Sequence, residues 1–230
     1  MFEIKIFNPV IGELETVTTL TESDEQTALK KAEEFLFSVG VKHGELLREG
    51  AERSTTVHGY KDRGSIAEKD GGFGFRPNSP IYFLFKYFKE NLGLRVDSFI
   101  DLGCGPGNIL LSAAHLFGST RLTGVEIDPG LVQEAKDNTR AFNAEIIEAD
   151  LFTWVPEVND YDLVYLYEPV EDIERRLRFL SHLKTWLNEG QYVFYTYAVG
   201  DLPEWLKAVE IPGYNYPCLF TFDKPDKDRA

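Results

Sequence analysis

Phe99-Ile100-Asp101-Leu102-Gly103-Cys104-Gly105-Pro106-Gly107-Asn108 sets an acid between an apolar run and three glycines spaced two residues apart, and an apolar run from Ile109 to Phe117 follows. This order predicts a buried strand over 98–102, a tight turn and a helix. Glycines without a Cβ let the backbone turn sharply and lie against a ligand. Asp101 stands at the carboxyl end of the strand, where open α/β sheets bind ligands, and the following helix offers unpaired N–H groups there.

Further acids recur downstream at strand ends. Arg121 to Ile127 reads as the next strand, ending in Glu126-Ile127-Asp128-Pro129. An acid about 20 residues beyond a glycine turn is placed to accept hydrogen bonds from ribose hydroxyls, and Asp128 before Pro129 reads as a helix cap. Glu145 to Glu148 is a third strand, leading to Ala149-Asp150-Leu151-Phe152, and Asp162 to Tyr167 is a fourth, leading to Glu168-Pro169. The long segment 171–188 reads as a helix, 191–199 as a fifth strand, 202–210 as a short helix and 216–222 as a last strand.

The glycine turn, Glu126 and Asp150 agree in type, order and spacing with the class I (seven-strand, Rossmann-like) S-adenosylmethionine-dependent methyltransferases, which the chain resembles over 73–222. The resemblance implies a doubly wound three-layer α/β/α sandwich, mostly parallel, with an antiparallel strand near the end. It implies S-adenosylmethionine as the methyl donor, held by Asp101, Gly103, Gly105 and Gly107 in the first motif. Glu126 would take the ribose hydroxyls and Ile127 the adenine face. Asp150 would accept from the adenine amino group while the N–H of Leu151 meets a ring nitrogen. The end of the fourth strand faces the transferred methyl in this family, which makes Glu168 and Tyr167 the catalytic candidates. A segment before the first core helix folds over the donor in many members; here Asp70 to Pro77 holds Phe73, Phe75 and Arg76, with Arg76 placed to pair with the donor carboxylate. The Asn/Asp-Pro-Pro-aromatic run of many nucleic-acid amino-methylating members is absent, since one proline follows Glu168 and Val170 stands in place of the aromatic.

Glycine-rich turns also occur in nicotinamide and flavin domains. The dinucleotide fingerprint wants a third glycine where Asn108 stands, so an NAD or FAD oxidoreductase is the alternative enzyme. A non-catalytic donor-binding protein on the same fold is the other alternative.

The first 42 residues read as a small ββα unit. Phe2, Ile4 and Ile6 alternate with Glu3 and Lys5, Leu14 to Leu20 is a second strand, and a helix capped by Ser23 runs to Ser38 with Gly40 past its end. Residues 43–78 are expected to be a linker and gating segment, with a short helix over 45–52 and a strand over 54–60, and residues 79–230 the main domain. A helix over 81–92, rich in aromatics, opens that domain.

The chain of 230 residues has 38 acidic against 24 basic residues, a net charge of −14. Such a surface repels phosphate backbones, so a protein or small-molecule acceptor is favoured and nucleic acid is not. No stretch is apolar enough to span a bilayer, and the N-terminus lacks a signal-peptide pattern. Two cysteines and four scattered histidines give no metal-ligand spacing, so no metal is expected. A reducing, cytoplasmic setting follows from the cysteine usage.

Overall fold

A computed structural model of the chain describes residues 1–8, 11, 13–59, 79–118, 121–167, 173–196, 202–212, 214 and 218–223. The first strands follow the alternation in their residues: β1 (Phe2–Asn8) buries Phe2, Ile4 and Ile6 and pairs antiparallel with β2 (Glu13–Leu20). Helix α1 (Glu25–Ser38) turns Ala28, Ala32 and Leu36 inward. Its cap is Asp24, one residue later than the expected Ser23, because the Asp24 carboxylate takes the Thr27 N–H at 2.8 Å.

The expected short helix over 45–52 is a strand. β3 (His43–Arg48) pairs with the free side of β1, and β4 (Ser54–His58) pairs with β3. Glu45, Leu46 and Leu47 are good helix formers, but β1 has a bonding edge to fill, and the alternating inward Gly44 and Leu46 suit it. The N-terminal extension is therefore ββαββ, with sheet order β2-β1-β3-β4, and it reaches past the expected boundary at residue 42.

Helix α2 (Ser79–Glu90) carries the aromatic run. It is apolar on nearly all sides because it lies between two sheets. Phe85 meets Phe99 and Phe194 of the second sheet with ring centroids 5.6 and 5.5 Å apart. On its other side α2 packs against β1, and Lys86 pairs with Glu15 of β2. One hydrophobic cluster runs from Phe2, Ile4 and Leu36 through Phe83 and Phe88 to Phe99 and Phe194. The N-terminal layer thus shares its core with the main sheet.

The main sheet is built from β5 (Ser98–Leu102), α3 (Asn108–Phe117), β6 (Arg121–Glu126), α4 (Pro129–Asn138), β7 (Glu145–Glu148), β8 (Leu163–Tyr167), α5 (Ile173–Lys184), β9 (Tyr192–Thr196), β10 (Leu206–Ala208) and β11 (Leu219–Phe222). Its order is β10-β11-β9-β8-β5-β6-β7. Pairing is parallel from β9 through β7, while β11 runs antiparallel to both of its neighbours, β9 and β10. The expected helix over 202–210 is the edge strand β10, because the open side of β11 captures Leu206 to Ala208. Helices α2, α3 and α4 cover one face with the first cluster, and Phe179, Leu180 and Leu183 of α5 cover the other against Ile100, Val164 and Tyr195. This is the expected doubly wound, mostly parallel α/β sheet, with the N-terminal sheet as a further outer layer. Among the described residues no helix is long and apolar enough to cross a membrane.

Candidate functional site

The parallel register sets the ends of four neighbouring strands level. Asp101 lies opposite Gly124 of β6 and Tyr165 of β8, and Glu126 lies opposite Glu148 of β7. The expected residues Asp101, Gly103, Gly105, Gly107, Glu126, Ile127, Asp150, Leu151 and Tyr167 therefore gather along one edge. Arg76, Glu168, Phe73 and Phe75 lie outside the described residues.

Between β5 and α3 the chain reverses in five residues, and Gly103, Gly105 and Gly107 take φ of 87°, 51° and 84°. These left-handed values favour glycine over any residue with a Cβ. The turn is fixed from several sides. Gly103 and Cys104 donate their N–H groups to the carbonyl of Val125 at 2.8 and 3.0 Å. The Asn138 amide donates to the Pro106 carbonyl at 2.9 Å. A Cβ on Gly107 would lie 2.9 Å from Cγ2 of Thr139, whereas no described atom lies within 4 Å of one on Gly105. Gly107 caps α3 without a side chain to take the first-turn N–H groups, which leaves a positive helix end facing the strand tips.

Glu126 is the central polar group. Its Oε2 accepts from Gly105 N–H at 2.9 Å, and its Oε1 accepts from Ile127 and Asp128 N–H at 2.8 and 2.9 Å. Asp128 caps α4 as expected, accepting from Gly130 N–H at 2.8 Å. Ile127 is 61% exposed, an apolar side chain held in the open beside the acid. Asp150 is exposed and its Oδ1 accepts from Phe152 N–H at 2.9 Å. Its backbone carbonyl takes Thr153 and Trp154 N–H, while no described residue accepts from the N–H of Leu151. Tyr167 is half-buried and packs with the cluster on the α2 face.

Asp101 differs from every other acid here. It is 1% exposed, and neither carboxylate oxygen has a hydrogen-bond partner among the described residues. Burial, reinforced by the nearby Glu126 carboxylate, pushes its acid well above the usual carboxylate range. Burial also pushes the Cys104 thiol well up, helped by Asp101. An orphaned acid under a glycine turn, beside N–H groups and outward-facing acceptors, can receive a ligand with a cationic centre, ribose hydroxyls and a heterocycle.

The sequence gives no sign of Asn138 or Thr139 as supports of the turn. Both sit at the far end of α4, and only the packing of α4 on β6 and β7 brings them there.

Residues 99–190 match the family described as "Methyltransferase domain". Trans-aconitate 2-methyltransferase of Escherichia coli O157:H7 is 30% identical over 93 residues, which make up 40% of this chain and 36% of that protein. The enzyme of the same name from Paracidovorax citrulli is 37% identical over 67 residues, 29% of this chain and 25% of that protein. The chain thus spans about a third or less of these curated relatives. Among solved structures, an RNA methyltransferase from Salinibacter ruber in complex with S-adenosyl-L-homocysteine aligns with a TM-score of 0.43 and 25% identity, over 61% of this chain and 91% of that one.

The state of Asp101 makes a pH-dependent prediction. The folded protein keeps a proton on Asp101 that the unfolded chain releases at about pH 4. Stability from this group is therefore full in acid and declines as pH rises towards its raised folded value. Asp101→Asn removes the titration, so the variant should gain over the parent as pH rises, reaching about 1–3 kcal/mol where Asp101 would ionise. Thermal melts of both proteins from pH 4 to 9 check this; a gap that stays constant or narrows with pH contradicts it.

Proposed function

We propose that the protein, whose residues 99–190 match the family described as "Methyltransferase domain", is a class I S-adenosylmethionine-dependent methyltransferase that binds its donor along the tips of β5, β6 and β7 and transfers the methyl group to a nucleophilic atom of an acceptor. The convergence of Asp101, Glu126 and the Asp150–Leu151 turn on one sheet edge, around a glycine turn where no described atom lies within 4 Å of a Cβ on Gly105, carries this reading.

The residues fit the donor group by group. A carboxylate has about four lone-pair sites, and Glu126 gives three to backbone N–H groups, which leaves an acceptor for the ribose. Asp150 uses one oxygen on Phe152; the other suits the adenine amino group, and the Leu151 N–H suits a ring nitrogen. Exposed Ile127 supplies an apolar surface for the adenine face. Asp101 supplies a buried carboxyl that loses its proton to become the counter-charge when the cationic end of the donor binds beside it, and the first turn of α3 leads away from it. Arg76 completes the set at the donor carboxylate. When bound, the donor brings a methyl carbon already activated by its sulfonium, so the protein's contribution is positioning and water exclusion.

Glu168 and Tyr167 belong to the acceptor side. Tyr167 ends β8, next to β5 and level with Thr196 of β9, and Glu168 follows it directly in the sequence. A carboxylate there orients an acceptor or takes up its proton. The acceptor is a small molecule or a protein rather than nucleic acid: the net charge of −14 opposes a polyanion, and the matching curated relatives are named for trans-aconitate, a small acid. Two free, buried cysteines support a reducing, cytoplasmic setting. A dinucleotide enzyme fits less well, because Asn108 stands in place of the third glycine of that fingerprint.

Calorimetry with S-adenosylmethionine, S-adenosylhomocysteine, NAD and FAD tests donor identity. Heat is expected with the first two, and their binding free energy should weaken by about 1–3 kcal/mol in Glu126→Ala; heat with NAD or FAD alone would falsify the reading. For the acceptor side, radiolabelled donor with a cell extract should label small molecules or protein. Glu168→Gln should lower that transfer by about 10²-fold or more and leave S-adenosylhomocysteine affinity unchanged. A fully active variant with a lowered melting temperature would remove Glu168 from the site and turn attention to Phe73, Phe75 and Arg76.

A further inference from the structure

The turn that leaves α1 lies against the first turn of α3, the helix fed by the glycine turn. The Ser112 hydroxyl donates to the carbonyl of Val39 at 2.7 Å and reaches the carbonyl of Asn108 at 3.4 Å. Val39 and Ser112 are both fully buried. Gly40 has φ 71°, and a Cβ built on it would lie 1.9 Å from the carbonyl oxygen of Asn108 and 2.7 Å from Oγ of Ser112. Asn108 directly follows Gly107, the cap of α3. Gly50, in the same layer and with φ 78°, has no described atom within 4 Å of such a Cβ. A backbone turn alone accounts for glycine at 50, whereas glycine at 40 is also demanded by contact with α3.

The opposite side of the glycine turn is held in the same manner. Thr139 closes on Gly107 and Asn138 holds the Pro106 carbonyl. The turn and its helix start are gripped between the end of α4 and the N-terminal layer.

We propose that Val39 and Gly40 are positioning residues for the donor turn: through Asn108 and Ser112 they fix the start of α3, and so the direction of the N–H groups at Gly105 to Asn108. Residues far outside the family match would then help set donor affinity. The effect on affinity rests on the donor assignment made above; the effect on the turn does not.

The test uses the full chain and its variants Gly40→Ala, Ser112→Ala and Gly50→Ala, with hydrogen exchange read over 103–111 and S-adenosylhomocysteine binding read by calorimetry. Gly40→Ala and Ser112→Ala should each speed exchange in this stretch by about fivefold or more, the scale of one lost hydrogen bond. They should weaken S-adenosylhomocysteine by a similar factor, with Gly50→Ala changing neither. Ser112→Ala carries the test alone if Gly40→Ala does not fold. Unchanged exchange over 103–111 overturns the proposal, as does faster exchange with unchanged affinity. Altered exchange in a protein that binds no S-adenosylhomocysteine would uphold the grip on the turn and overturn the donor assignment instead.

Discussion

A backbone that leaves a strand and enters a helix within five residues, through three positive φ angles, has few internal hydrogen bonds to hold it. The Glu126 carboxylate supplies what the turn lacks. One oxygen binds Gly105, and the other binds the two N–H groups that open the way to α4. The same side chain thus ties the turn after β5 to the turn after β6. Charge-assisted bonds of this kind are about twice as strong as neutral ones. The acid expected to meet the ligand is also the one that shapes the surface the ligand meets.

The buried carboxyl of Asp101 works against this order. An acid without partners in the interior costs free energy, and Glu126 nearby makes ionisation harder. Such a cost is common at binding sites, where an unmet group is met by the ligand. The surrounding packing sustains it: α2 is wedged between two sheets, and the N-terminal layer presses on α3 through Gly40. The extension is therefore part of the frame around the site.

What could be read from the residues follows from how local each signal is. The glycine spacing, the acid at the end of β6 and the Asp150 turn are short patterns whose meaning lies within a few residues, and each lies where the sequence puts it. Alternation located β1, and apolar runs located β5 and β8. His43–Arg48 and Leu206–Ala208 were not legible as strands, because Glu45 to Arg48 and Leu206 to Ala208 favour helix and only the open edges of β1 and β11 decide their pairing. The grip of Gly40 on Asn108 and of Asn138 on Pro106 join distant parts of the chain, and no local pattern marks them. That the Asp101 carboxyl finds no partner among the described residues is a matter of burial, invisible until the sheet is assembled.

If one sheet edge, organised by Glu126, holds the donor, a crystal structure of the protein with S-adenosylhomocysteine should show the ligand there. A ribose hydroxyl is expected on Glu126, the adenine amino group on Asp150 with the ring against Ile127, and the amino-acid end of the ligand above Asp101 and the glycine turn. A nucleoside bound elsewhere, or bound at this edge with Glu126 still turned wholly to the backbone, would contradict that placement.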